Sequence, residues 1–255
     1  MARAPPAPCP NALGTTMYSF DSRVRYSECD EGATLSVCAL VNYLQDCSTF
    51  HSESIGLGVS HMVAHHYAWL ITAWQIEITG LPRLGDPIRI GTWCPELRRT
   101  MVERDFTLGS PDGSRYARAG SLWFVYDTEA RRPIRIPKSQ RVYLSDDPRI
   151  DLPKVRRRLH VTGDFDLAPP VTVGVWQLDT NRHMNNVHYI QIALDAIREV
   201  EGDLTLPHRI CVQYKTMALL GDTIVPRIHT EEGAWVVDLR GEAHQSYAIV
   251  RLEHA

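Results

Sequence analysis

Residues 178–189 read Leu178-Asp179-Thr180-Asn181-Arg182-His183-Met184-Asn185-Asn186-Val187-His188-Tyr189. Three residue types in this stretch do chemistry at neutral pH. A histidine with a pKa near 6.5 serves as a general base. An aspartate orients that base or a water, and an asparagine amide donates to a carbonyl oxygen. Asn185 and Asn186 suit the start of a helix, because a short amide side chain caps free N–H groups there. Capping does not call for Asp179, Asn181 and His183 as well. Three polar residues at alternate positions of a short loop converge on one point in front of the helix N-terminus, whose free N–H groups and partial positive charge stabilise a developing oxyanion. A thioester suits that equipment. Its thiol leaves with a pKa near 8.5 and needs little acid help, so activating a water and holding the oxyanion are the main tasks.

The elements that must position the loop are legible as a repeat. A short strand over Phe20–Tyr26 leads into the polar turn Ser27–Gly32. Val37, Leu40, Val41, Leu44 and Cys47 then recur at helical spacing, and Gly56 and Gly58 end the helix. Trp74, Ile76 and Ile78 alternate with polar residues, as in a half-buried strand. Ile88–Trp93, Met101–Leu108 and Arg115–Tyr126 follow as strands, with a turn at Pro111-Asp112-Gly113. The plan restarts with a strand over Val171–Trp176, the polar loop, and a helix carrying Val187, Ile190, Leu194 and Ile197 up to Gly202. Strands over Arg209–Tyr214, Thr223–His229, Ala234–Leu239 and Ser246–Leu252 complete it. Leu84-Gly85-Asp86 recurs as Leu220-Gly221-Asp222, each time just before a strand. One long helix per half, followed by a run of strands, predicts an α+β fold with an antiparallel sheet wrapped round each helix. The units are placed at residues 18–150 and 166–255. Residues 151–165 lie within a stretch, 138–165, that lacks apolar period and reads as a linker. Residues 1–17, with four prolines, read as a disordered tail, and Met17 is an alternative start.

Composition narrows the classes. The 255 residues are 44% hydrophobic and 22% charged, which excludes disorder throughout. Twenty-seven basic and 30 acidic residues give a net charge of −3, against a general nucleic-acid binder. No apolar run reaches the roughly 18 residues of a membrane span. The six cysteines, at 9, 29, 38, 47, 94 and 211, form no C-x-x-C pair. With no secretion signal ahead of them, they are expected as reduced, mostly buried thiols in a cytoplasmic protein.

The pattern Asp179-x-Asn181-x-His183-x-Asn185-Asn186-x-x-Tyr189 resembles the signature of the acyl-carrier-protein (ACP) thioesterases of plants and bacteria. The first half is similar too, in Val24-Arg25-Tyr26-Ser27-Glu28-Cys29-Asp30, Leu40-Val41-Asn42-Tyr43-Leu44-Gln45-Asp46 and Trp69-Leu70-Ile71-Thr72-x-Trp74. The resemblance covers about residues 18–255. It implies a tandem (double) hotdog fold, hydrolysis of fatty acyl-ACP thioesters to free fatty acid, and no metal or organic cofactor. It assigns catalytic roles to Asp179, Asn181 and His183, and makes acyl carrier protein the partner, with a homodimer as a candidate assembly. One departure stands out. The family's acidic residue before the second Gly-Asp, with the cysteine beside it in plant members, is replaced by Met217 and Ala218. A cysteine nucleophile there is excluded, and Asp179 would have to position the water. If the strand led by Ile210, Val212 and Tyr214 continues, Met217 lies on its other face.

Other readings compete. An acyl-coenzyme A thioesterase uses the same chemistry, and a non-catalytic acyl-binding protein is the reading that Met217 favours. Hydratases of this fold show Asp-x-Asn-Pro-x-His, which the spacing here does not match. Trp69 and Trp74 are candidate walls of an acyl pocket, or plain core. His61-x-x-x-His65-His66 has metal-pair spacing without a third ligand nearby. The cluster Arg156-Arg157-Arg158 is a candidate dock for the acidic carrier, or a solvated linker.

Overall fold

The computed structural model describes residues 17–202 and 205–254, so the expected tail, with Cys9, lies outside the described residues apart from Met17. The first half runs β1 (Tyr18–Arg23), α1 (Val37–Ser54), a short α2 (Val59–Ala64), then β2 (Tyr67–Ile78), β3 (Pro87–Leu97), β4 (Val102–Gly109), β5 (Arg115–Asp127) and β6 (Arg132–Ile134). The second runs β7 (Asp166–Leu167), β8 (Val171–Thr172), α3 (Asn186–Glu201), β9 (Arg209–Tyr214), β10 (Thr223–Glu231), β11 (Ala234–Gly241) and β12 (Ser246–Glu253). These strands form one antiparallel sheet in the order β1-β3-β4-β5-β2-β9-β12-β11-β10-β7, with β6 on β5 and β8 on β10. The order reads alike outward from the β2–β9 seam in both directions. Each half is a sheet wrapped round one long helix, the double-hotdog arrangement.

Both helices begin on a side-chain cap. Ser36 Oγ accepts from the Ala39 N–H at 3.2 Å, and Asn185 Oδ1 from the Val187 N–H at 3.2 Å. Gly202, at φ +86°, ends α3 by donating to the Arg198 carbonyl at 3.0 Å. The predicted apolar stripes point into one shared core: Leu40, Val41, Leu44 and Cys47 from α1, and Val187, Ile190, Leu194 and Ile197 from α3, all buried. Each such Leu or Ile contributes about 1.5–3 kcal/mol by leaving water.

The repeated Leu-Gly-Asp closes the same turn twice. Gly85 and Gly221 take φ +86° and +85°, a region that favours glycine. The Asp86 and Asp222 carboxylates accept from the N–H groups of Arg83 and Leu219, both at 2.8 Å. The Asp86 carbonyl accepts from Val24 at 3.0 Å and the Asp222 carbonyl from Val173 at 2.9 Å.

Two strand expectations overran. The first stops at Arg23 and the second at Thr172, and each chain then makes a 3-10 turn, Tyr26–Glu28 and Val175–Gln177. The cause is a returning side chain. Glu28 Oε2 takes the Arg25 N–H at 2.9 Å, and Gln177 Oε1 takes the Gly174 N–H at 2.8 Å. Strand β2 starts seven residues earlier than the alternation suggested, because a register shift between Ile71 and Ala73 hides its period. β9 ends at Tyr214, so Met217 sits in a loop and not on a continuing strand. The predicted linker is mostly exposed but is hydrogen-bonded to the sheet. Its carbonyls at Pro148, Asp151 and Pro153 accept from Trp93, Arg118 and Gln75, and its N–H groups at Ile150 and Leu159 donate to Asp105 and Gln213. It straps the sheet on the face away from the helices, where Leu159 packs on Cys211, Val236 and Ile249.

The seam between the halves carries an ion-pair cluster. Glu77 of β2 accepts from Arg209 of β9 at 2.5 Å and from Arg118 at 2.7 Å, and Arg209 also reaches Glu253 at 3.1 Å. Burial raises the Glu77 pKa, but the two guanidinium hydrogen bonds outweigh it and hold the carboxyl below its usual range. A depressed carboxylate contributes stability that is complete above its unfolded pKa, about 4.3, and is lost as pH falls toward the folded value. Urea midpoints of Glu77→Gln should therefore lie below wild type at pH 7 and converge with it on acidification below about pH 4. A constant gap across that range would show that the pair adds nothing through its charge.

Candidate active site

The polar loop of the second half is built by one side chain. Asp179 Oδ1 accepts from the Asn181 N–H at 2.8 Å and the His183 N–H at 3.3 Å, and Asp179 Oδ2 lies 3.5 Å from Asn181 Nδ2. The Asp179 N–H donates to the His183 carbonyl at 2.8 Å. Arg182, between them, takes φ +61°. The first half makes the same loop from other residues. Asp30 Oδ1 accepts from Gly32 at 2.9 Å and Thr34 at 3.0 Å, and Ala33 takes φ +56°. Aspartate is thus the loop's brace in both halves, whereas Asn181 and His183 stand where the first loop has Gly32 and Thr34. The polar side chains for chemistry occur in one loop of two.

The loop opens onto a cavity of about 580 Å³ that lies in the first half. Asp179, Thr180, Asn181, Asn185 and Asn186 form its mouth. Gln45, Ser48, Thr49 and Ser52 of α1, Arg104 and Tyr143 bring polar groups to its lining, and Val59, Met62, Trp69, Val102 and Trp123 bring apolar surface. By position relative to the two caps, those α1 residues match Leu194, Ile197, Arg198 and Glu201 of α3. Ile197 is fully buried in the core where Ser48 leaves room.

Gln45 joins the halves at the mouth. Its Nε2 donates to Asn185 Oδ1 and its Oε1 accepts from Asn186 Nδ2, both at 3.4 Å. Sequence reasoning did not single it out; the signal was its place, nine residues after the α1 cap and polar beside Leu44. Tyr189, in the signature, is a clamp: its oxygen accepts from the Ala218 N–H at 2.9 Å, and burial pushes its pKa up to about 12.

The candidates separate. Asp179 and Asn181 face the cavity, and His183 sits beside its mouth, half-buried, outside the lining. Trp69 lines the cavity. Trp74 does not: it is buried at 1% exposure against Phe106, with ring centroids 5.0 Å apart, deeper under α1. Arg156 and Arg158 line a separate cleft of about 460 Å³ with Arg251, Val236 and Glu231. Val236 belongs to the sheet face away from the helices, so this cluster is on the wrong face to dock a carrier at the loop. His61 lies on α2 and His65 caps its end, but their rings stack with centroids 3.9 Å apart and His61 Nδ1 meets the Tyr67 hydroxyl at 3.2 Å. Among the described residues no group of three His, Cys, Asp or Glu is placed to hold a metal. The five cysteines there are free thiols, and burial pushes Cys38 and Cys47 up to about 12. No helix among those residues is long and apolar enough to cross a membrane.

The Met184 N–H donates to the Ala218 carbonyl at 2.9 Å, so His183 and Met217 flank one backbone hydrogen bond. Met217 is 37% exposed, so a carboxylate there stays solvated. A negative charge beside an imidazole favours the imidazolium. Met217→Glu should therefore raise turnover, or at least preserve it, and shift the acidic limb of the pH profile, set by the imidazole base, upward. A folded but inactive variant with unchanged substrate affinity would show that position 217 does not face His183.

A model described as the acyl-ACP thioesterase N-terminal domain matches residues 15–142, and one described as the acyl-ACP thioesterase C-terminal domain matches residues 166–252. The chain is 29% identical over 186 residues to a chloroplastic acyl-[acyl-carrier-protein] hydrolase of Cuphea viscosissima, covering 68% of this chain and 45% of that one. It is 29% identical over 218 residues to the chloroplastic oleoyl-acyl carrier protein thioesterase 1 of Arabidopsis thaliana, covering 79% and 60%. The matched regions thus span about half the length of these relatives. Among solved structures, an acyl-ACP thioesterase from Bacteroides thetaiotaomicron superposes with a TM-score of 0.82 at 21% identity, covering 93% of this chain and 97% of that one. A putative oleoyl thioesterase from Lactobacillus plantarum gives 0.80 at 22%, covering 94% and 96%.

Proposed function

This chain belongs to the acyl-ACP thioesterase family, and from that premise we propose that it hydrolyses acyl-ACP thioesters, releasing a carboxylic acid and the carrier's free thiol. The observation that carries the reading is the cavity whose mouth is formed by the polar loop and the first residues of α3. The acyl chain lies along α1 and its thioester carbonyl sits at the α3 N-terminus. There the Asn186 N–H, ahead of the Val187 and His188 N–H groups that Asn185 already takes, holds the oxyanion with the Asn181 amide. His183 takes a proton from the attacking water as the water oxygen bonds to the carbonyl carbon. Collapse of the tetrahedral intermediate breaks the C–S bond, and the imidazolium returns the proton to the departing thiolate. Asp179 acts on this chemistry through the loop it braces. Acyl carrier protein is the substrate carrier in this reading. A cytoplasmic site goes with it, supported by cysteines that remain free thiols.

The acyl-coenzyme A thioesterase differs from this reading only in the carrier. A purely acyl-binding protein does not require an asparagine and a histidine in one loop where the twin loop has Gly32 and Thr34.

Release of free thiol from acyl-ACP, followed with a thiol reagent, tests the proposal. His183→Ala should lower kcat by about 10²-fold or more, the scale of a lost general base. Asn181→Ala should act mainly on kcat. Asp179→Asn, which keeps an oxygen acceptor for the loop N–H groups, should retain more activity than Asp179→Ala. Wild-type turnover in His183→Ala removes the imidazole from the mechanism, and equal loss in the two Asp179 variants makes the charge, not the brace, the requirement.

A further inference from the structure

The cavity lining mixes two kinds of side chain. Val59, Met62, Trp69, Val102 and Trp123 are apolar or aromatic. Gln45, Ser48, Thr49 and Ser52 make a polar stripe of α1, and Tyr143 and Arg104, the latter on the same face of β4 as Val102, add to the polar set. Most of that set is deeply buried: Ser48 is 9% exposed, Ser52 7%, Arg104 6% and Tyr143 3%. A bare hydrocarbon chain calls for no such set.

Arg104 is the sharpest part of it. Among the described residues no carboxylate forms a salt bridge with it. Its Nη1 meets His51 Nδ1 at 3.2 Å and Thr92 Oγ1 at 3.4 Å, and its guanidinium stacks over the Tyr143 ring at 5.1 Å. All three partners are neutral, because burial and the guanidinium itself push His51 down to about 3. An alkyl chain filling the cavity would exclude water from a cation that has only neutral partners, and burying charge without compensation is costly. The hydroxyls beside it have committed their protons. Ser48 donates to the Gln45 carbonyl at 2.8 Å, Thr49 to the same carbonyl at 3.2 Å, and Ser52 to the Ser48 carbonyl at 3.0 Å. Tyr143 then donates to Ser52 Oγ at 2.9 Å. Ser48 and Thr49 therefore offer lone pairs, and Arg104 offers donors. A hydroxyl group, which donates and accepts at once, complements that pair.

We propose that the acyl group this cavity takes is an oxygenated chain, bearing hydroxyl on the side that faces Ser48, Thr49 and Arg104, and not a plain saturated chain. The inference rests on the thioesterase reading for its substrate class and concerns selection within it. α3 shows the contrast: its matching stripe begins with the apolar Leu194 and Ile197.

The test compares a saturated medium-chain acyl-ACP with the same chain hydroxylated at successive carbons, by kcat/KM of thiol release. At least one hydroxylated isomer should exceed the saturated chain by at least about tenfold, well inside the roughly 10⁴–10⁵ by which a site built to hydrogen-bond a hydroxyl rejects an analogue lacking it. The combined variant Ser48→Ala, Thr49→Val, Ser52→Ala should bring that ratio to one or below. Arg104→Met should raise the rate on the saturated chain while lowering it on the preferred isomer. A wild-type preference for the saturated chain over every isomer overturns the proposal, as does a ratio unmoved by the combined variant. The free acids are titrated in parallel into wild type and His183→Ala. If no substrate releases thiol, the hydrolytic reading fails, and the ratio of dissociation constants for hydroxylated and plain acids decides the cavity proposal alone.

Discussion

Antiparallel pairing of β2 with β9, from Ala73 opposite Gln213 to Glu77 opposite Arg209, is the constraint on which the rest of the molecule depends. It fuses two half-sheets into one, so both helices lie against a single core. It also fixes the middle of α1 beside the start of α3. Only in that register does Gln45 reach Asn185 and Asn186, and only there does a cavity of one half meet the loop of the other. The Glu77–Arg209 pair sits on the seam itself, so the electrostatics that hold the halves in register are separate from the groups at the mouth.

Duplication followed by asymmetry explains the division of labour. Both loops keep the bracing aspartate, the residue at positive φ, and the Leu-Gly-Asp turn behind them. They differ where side chains are free of that work. Gly32 and Thr34 give way to Asn181 and His183, while Leu194 and Ile197 on α3 stand against Gln45 and Ser48 on α1. One half keeps the room and the other keeps the reactive groups. A site shared in this way needs both halves.

Much of this was legible in the chain. The repeat of strand, helix and strands predicted the architecture, and Leu-Gly-Asp marked its two turns. The polar loop announced itself by composition. Other features depended on pairing across the sheet, which no local pattern reports. The register shift in β2 masked its first residues. Trp74 looked equivalent to Trp69 because both are tryptophans on one strand, yet one lies under α1 and the other at the cavity. The arginine cluster read as a basic patch, but nothing local told which sheet face it would occupy. Gln45 has no signature of its own; it gains a role from a neighbour 140 residues away. Asp179 was expected to face the reaction; it lines the cavity, and its carboxylate also accepts from backbone N–H groups of its own loop, a bracing role that composition does not report.

A crystal structure with a non-hydrolysable acyl thioether analogue of the carrier's pantetheine tests the central claim, that the cavity of the first half serves the loop of the second. The account predicts an acyl chain lying along Ser48 and Thr49, with its sulfur end at the α3 N-terminus between Asn181 and Asn185. A chain bound within the second half, or in the cleft beside Arg156 and Arg251, would contradict it.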